Sequence, residues 1–175
     1  MGSVARNEDD ELEELRKRLR RVPPRRVAVL CMGNPARGDD GFGPAVARAL
    51  HGRIDAHLFD GGLAPENDLP RVSALRPAVS IIVDAVHFGG QPGTLRLLGA
   101  DELREDGVST HSTALPVMAR FLEADCGSRV LVLAAQPATT TWGNSLSPEM
   151  TRAVSTAVRL LVQLLGRGAD AEGGA

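Results

Sequence analysis

The stretch Val27 to Leu50, VAVLCMGNPARGDDGFGPAVARAL, decides the fold. Val27 to Met32 is a β-branched and apolar run, the pattern of a buried strand. Gly33-Asn34-Pro35 stops it, because Gly and Asn tolerate turn dihedrals and Pro35 cannot continue a ladder. Two adjacent carboxylates follow, Asp39 and Asp40, then Gly41 and Gly43. Pro44 opens a segment with Ala45, Val46, Ala49 and Leu50 at helical spacing. The order is strand, tight acidic loop, helix. In an open α/β sheet such a loop sits at the carboxyl end of a strand, where ligands bind. An acidic loop there points to a cation rather than a phosphate, and the glycines let the backbone approach it closely.

Working outward, 26–167 reads as one α/β domain, between a charged extension over 1–25 and a disordered tail over 168–175. In the extension, acidic Glu8 to Glu14 precedes basic Arg16 to Arg21, with Leu12, Leu15 and Leu19 at helical spacing. This predicts a solvated, partly helical arm cut off from the core by Pro23-Pro24. A docking arm for a partner is the sharper alternative, with only charge behind it. Beyond the first helix, Ala56 to Phe59 reads as a strand ending in the turn Asp60-Gly61-Gly62. Pro65 to Leu75 reads as a helix weakened by Pro70. Ala78 to Val83 is a near-continuous apolar run, a strand buried on both faces, and it ends at Asp84.

The linker 87–93 is too short for a helical crossover, so the strand Thr94 to Leu98 is expected to lie antiparallel to its neighbour at an edge. Asp101 to Asp106 is a polar turn or short helix. Ser112 to Ala124 carries a helical apolar stripe, and Arg129 to Ala135 is another buried strand. The last helix has Ser147 as N-cap, Pro148 at its first position, and Gly166 as its stop. Together these predict a three-layer α/β sandwich: a mostly parallel five-stranded sheet with one antiparallel edge strand and helices on both faces.

That topology gathers chemistry. Asp39, Asp40, Asp60 and Asp84 each follow closely on a strand, so they are expected at one rim of the sheet. Crowded carboxylates raise each other's pKa, which a bound cation relieves. His111, flanked by Ser109, Thr110, Ser112 and Thr113, is placed to reach the same rim. Two carboxylate oxygens and an imidazole nitrogen suit a borderline divalent ion such as nickel or zinc. Each residue also has a plainer reading: an Asp after a strand is often a turn former or cap, and His111 can hydrogen-bond near a helix start. Asp39 reads equally as a solvated neighbour of Asp40. His87 in its glycine-rich loop reads as exposed and idle, and Trp142 as lining a pocket or covering the core.

Composition excludes other classes. A net charge of −2 and a pI near 6.1 give no electrostatic reason to expect nucleic acid or an anionic membrane. Two cysteines, Cys31 and Cys126, form no CxxC pair or disulfide framework, and the N-terminus lacks an apolar signal region. A cytoplasmic protein is expected. No phosphate-binding glycine motif, nucleophile elbow or H-E-x-x-H is present. A phospho-receiver domain also surrounds magnesium with acidic residues after its first and third strands. It uses a lysine after the fifth strand, however, and here Lys17 is the sole lysine.

GNPARGDDGFG after a strand, DGG at 60–62, IIVDAV around Asp84, PGT at 92–94, STHS around His111 and Leu-Ser-Pro at 146–148 together resemble the hydrogenase maturation endopeptidase family. The resemblance runs in order from Val27 to near Gly166. It implies an endopeptidase that removes a C-terminal extension from the large-subunit precursor of a nickel-iron hydrogenase. It also implies that Asp40, Asp84 and His111 are the metal-site residues. The mechanism expected here makes the same three catalytic, with Asp39 or Asp60 orienting a ligand or water behind them. Asp40 departs from the glutamate common at that position and is one methylene shorter. The metal implied is nickel already held by the substrate, with zinc or cadmium able to substitute in vitro. A protein of the same fold that checks nickel without cutting is the remaining alternative.

Overall fold

The computed structural model describes residues 8–104, 114–143 and 145–166. Five strands form one sheet: β1 (Val27–Met32), β2 (His57–Gly62), β3 (Val79–Ala85), β4 (Leu95–Gly99) and β5 (Arg129–Ala135). Their order is β2-β1-β3-β5-β4. All neighbouring pairs are parallel except β4 with β5. β4 thus lies antiparallel at an edge, but its partner is β5, which inserts between it and the preceding strand β3.

Five helices flank the sheet: α1 (Glu8–Arg18), α2 (Phe42–Leu50), α3 (Leu69–Ala74), α4 (Ala114–Cys126) and α5 (Pro148–Leu165). Alternation along the central strands divides the core between two faces. Val27, Val29, Cys31, Ile81, Leu131 and Leu133 meet α1, α2 and α5. Ala28, Leu30, Ile82, Val130 and Val132 meet α3 and α4. Both faces being covered explains why β1, β3 and β5 are nearly unbroken apolar runs. Among the described residues no helix is long and apolar enough to cross a membrane.

The expected arm over 1–25 is helical over Glu8–Arg18 and exposes Glu13, Arg16 and Lys17, but one face of it is docked on the core rather than solvated. Leu15 and Leu19 of the α1 segment are buried in the first core layer, and Leu12 packs against it. The Glu11 carboxylate is buried and its Oε2 accepts the Leu97 N–H of β4 at 2.7 Å. Glu102 Oε2 accepts the Gly99 N–H at 2.8 Å. Leu97 and Gly99 point their amides to the same side of β4, so two carboxylates cover donors that an open sheet edge would leave exposed. The Arg129 side chain also donates to the Arg18 carbonyl. Leu15→Ala is therefore expected to cost about 2–4 kcal/mol, as for a fully buried core leucine. Urea unfolding measures it, and a change below about 0.5 kcal/mol would mean that the arm is undocked in solution.

Two further boundaries differ from expectation. β2 continues through Asp60-Gly61-Gly62, and Met32 pairs with Gly62 across a register shift, so DGG is strand rather than turn. The Pro65 to Leu75 segment divides into a 3-10 turn, Pro65–Asn67, and the short α3, which begins beside Pro70. α5 is as its caps predict: Ser147 Oγ accepts the Met150 N–H at 3.1 Å. Gly166 ends it in an extended rather than left-handed conformation, φ −68°. Glycine is required there because a Cβ would lie 2.3 Å from the Val162 carbonyl oxygen.

Candidate metal centre

β1 delivers the chain into a loop that doubles back on itself. Gly33 has φ +133°, and a Cβ there would lie 2.0 Å from the Asp40 carbonyl oxygen. Only glycine admits this approach. Asn34 Oδ1 accepts the Ala36 N–H at 2.9 Å, an Asx turn that hands the chain to the 3-10 turn Gly38–Gly41. The Asn34 N–H in turn donates to Asp40 Oδ2 at 3.0 Å. Gly43 seats the start of α2 against the sheet, since a Cβ there would lie 2.1 Å from the Met32 carbonyl oxygen and 2.7 Å from that of Val83. The Asp40 side chain is thus fixed at the carboxyl ends of β1 and β3.

Asp84 lies in β3 itself, buried between β1 and β5, and its Oδ1 accepts the Ala85 N–H at 2.9 Å. Burial pushes its carboxyl well above the usual carboxylate range, the Asp40 charge pushes it further, and the Ala85 N–H opposes both. Asp40 and Asp84 line one cleft of about 240 Å³ together with Met32, Asn34, Arg37 and Ala114. Leu63, 73% exposed, also lines it. The two carboxylates thus share one cleft, and the nearby Asp40 charge disfavours ionisation of Asp84. The third expected ligand, His111, lies outside the described residues. Ala114, three positions further on, is part of the cleft wall. Among the described residues no three His, Cys, Asp or Glu side chains come together as a metal site.

The two residues expected behind the ligands lie elsewhere. Asp39, read equally as a solvated neighbour, is completely buried. Its carboxylate accepts from Ser147 N (2.7 Å), Ser147 Oγ (2.9 Å) and Ala138 N (2.8 Å). It ties the acidic loop to the start of α5. Asp60 is exposed on β2 opposite Cys31 and is not among the residues lining the cleft. Its charge and, above all, burial push the Cys31 thiol far up, which leaves that cysteine unreactive. His87, expected exposed and idle, is half-buried and shares a 3.2 Å hydrogen bond with Gln136 Nε2. Trp142 neither covers the core nor lines the cleft: it is 67% exposed.

Sequence reading missed Gln136. Its buried side chain accepts the Phe88 and Gly90 N–H groups at 2.9 and 3.2 Å, holding the loop after β3. No local pattern marks a glutamine for that task, because its partners are nearly fifty residues away.

With this geometry in place, a family model described as hydrogenase maturation protease (HycI) matches residues 44–164. The chain belongs to that family. It is 33% identical over 147 residues to the Hydrogenase 3 maturation protease of Escherichia coli K12, covering 82% of this chain and 94% of that one. The crystal structure of a [NiFe] hydrogenase maturation protease HycI from Thermococcus kodakarensis superposes with TM-score 0.79 at 26% identity, over 87% of this chain and 98% of that one. The solution structure of the endopeptidase HycI from Escherichia coli superposes with TM-score 0.72 at 33% identity, over 79% and 90%. The chain is accordingly a hydrolase, an endopeptidase of hydrogenase maturation. The receiver-domain alternative gives way to this, in keeping with the antiparallel β4 that such a plan does not contain.

Proposed function

We propose that the protein removes the C-terminal extension of a nickel-iron hydrogenase large-subunit precursor after nickel has been inserted. The carrying observation is that Asp40 and Asp84, from two separate strand ends, share one cleft, where burial and then the Asp40 charge push the Asp84 carboxyl up. Nickel is then part of the substrate, and the cleft meets it with Asp40, Asp84 and, from the segment leading into α4, His111. The chemistry of the donors suits the ion: hard carboxylate oxygens with one imidazole accommodate nickel, and zinc or cadmium in its place in vitro.

A nickel ion gripped on one side by its own protein and on the other by these residues fixes the precursor's tail over the cleft. The ion acts as a Lewis acid toward the scissile carbonyl. Water adds its hydroxyl to the carbonyl carbon and its proton to the departing amine, so a single peptide bond is hydrolysed. Once the tail has gone, the precursor has no further bond to present. The two cysteines, free and buried, fit work in the cytoplasm.

The test is mass spectrometry of precursor incubated with the protein, nickel-loaded in one tube and nickel-free in the other. Loss of a C-terminal peptide in the loaded tube alone is expected. A stable complex with intact precursor would instead favour the non-cleaving, nickel-checking role. No complex and no cleavage with the cognate precursor would sink the reading.

A further inference from the structure

Arg37 is the one cation among the described residues lining the cleft, where it sits with Asp40, Glu66 and Asp84. An arginine three positions from Asp40 in a cleft with three carboxylates would ordinarily close an ion pair. This one does not: its Nε donates to the Thr140 carbonyl at 3.2 Å, and its guanidinium lies over the Trp142 ring, 5.6 Å from the centroid. The Trp142 ring stays 67% exposed, so it serves no core. Its position is fixed by the backbone, because the Gly143 N–H donates to the Ala36 carbonyl at 2.9 Å. The Asp39 N–H donates to the Thr139 carbonyl at 2.9 Å in the same strip. Two loops, 34–39 and 138–143, are thus stitched together in a way that holds one guanidinium by its inner nitrogen and one face. Its two terminal amines have no hydrogen-bond partner among the described residues.

A planar fork held from behind, beside but not neutralised by carboxylates, is arranged for an oxygen acceptor that arrives later. Although Arg37 is exposed, Trp142 and Thr140 already restrict its side chain, so an incoming acceptor is bound at lower entropic cost. We propose that Arg37, braced by Trp142, is a substrate-binding residue that takes an oxygen acceptor of the precursor chain beside the cut, an inference that rests on the endopeptidase reading. The acceptor is a main-chain carbonyl or an acidic side chain. Either way Arg37 would set where the tail lies relative to Asp40 and Asp84, and so which bond is presented.

The experiment measures both affinity and processing for one probe, a nickel-loaded large-subunit precursor from the same organism, against the wild-type protein, Arg37→Gln, Arg37→Lys and Trp142→Ala. Arg37→Gln is expected to weaken Kd and raise KM by about 10- to 100-fold, the loss of a charge-assisted hydrogen bond, with kcat within about threefold. Arg37→Lys should restore little, because a single ammonium does not reproduce the fork. Trp142→Ala should show a smaller rise of about threefold to tenfold. A precursor with the acidic residues around its cut changed to amides separates the two acceptors. Retained dependence on Arg37 assigns the carbonyl, and lost dependence assigns the side chain. Unchanged Kd and KM in Arg37→Gln would overturn the assignment, as would a fall in kcat alone. Wild-type protein that binds but does not cut would sink the endopeptidase reading, while the Kd comparison would still decide for or against Arg37.

Discussion

Asp84→Asn is expected to abolish processing and, at the same time, to make the isolated protein more stable. The two effects share a cause. Asp84 is buried, close to the Asp40 charge, and among the described residues its carboxylate accepts a single hydrogen bond, from the Ala85 N–H. Asparagine fills the same volume and its Oδ1 accepts the same N–H, but it carries no charge to bury and none to repel Asp40. Processing should fall at least about 100-fold, since even groups that only support a metal ligand are commonly worth 10- to 100-fold. Thermal stability should rise by on the order of 1 kcal/mol, or ~2–4 °C in Tm for a chain of this size.

The pH dependence has a definite sign. The folded carboxyl holds its proton to a higher pH than the unfolded one, whose value is near 3.8. Below that pH both states are protonated and no penalty exists. As pH rises above it, the unfolded chain releases a proton that the folded chain retains, so stability falls until the folded carboxyl also ionises. The Tm advantage of Asp84→Asn over wild type should therefore be absent near pH 3.5 and grow toward pH 7. A variant less stable than wild type at pH 7 would show that the carboxylate is compensated by a group the described residues do not contain.

The fold and the site were legible to different depths, for physical reasons. β1, β5 and α5 were readable because their signals are local: unbroken apolar runs for strands covered on both faces, and Ser147-Pro148 for a helix start. The end of β2 was not, since Asp60-Gly61-Gly62 has turn chemistry and is held as strand only by its register against β1. α1 was misjudged because eleven mostly charged residues hide a leucine stripe whose partners, β4 and α5, come together only after folding. Within the site, Asp40 and Asp84 were legible because strand ends in an α/β sheet converge. What the local chemistry could not do, without the family resemblance, was separate Asp39 from Asp40. Adjacent residues on a 3-10 turn send their side chains in different directions, one to the cleft and one into the protein. The partners that decide between them are about a hundred residues away.

That divergence leads to the second large effect. Asp39→Ala is expected to cost about 3–5 kcal/mol, the scale for removing one partner of a buried charged network. Its carboxylate accepts the Ser147 N–H, the Ser147 hydroxyl and the Ala138 N–H, and the Thr139 N–H lies at 3.4 Å. The Ser147 hydroxyl that donates to Asp39 also accepts the Met150 N–H, so the carboxylate stands behind the N-cap of α5. Removing it strands three close donors and loosens the helix that packs on α2 and β5. Asp39→Asn should cost less, about 1–3 kcal/mol, because an amide oxygen still accepts while the amide nitrogen faces donors. Asp39→Glu should not rescue, as a fully buried site has no room for a further methylene. Urea unfolding measures the three costs, and processing at 15 °C should fall with them, since the loop carrying Asp40 loses its anchor. If Asp39→Asn instead abolished processing with unfolding unchanged, the carboxylate would be acting on the metal side of the turn, and its place as the tie between the acidic loop and α5 would be wrong.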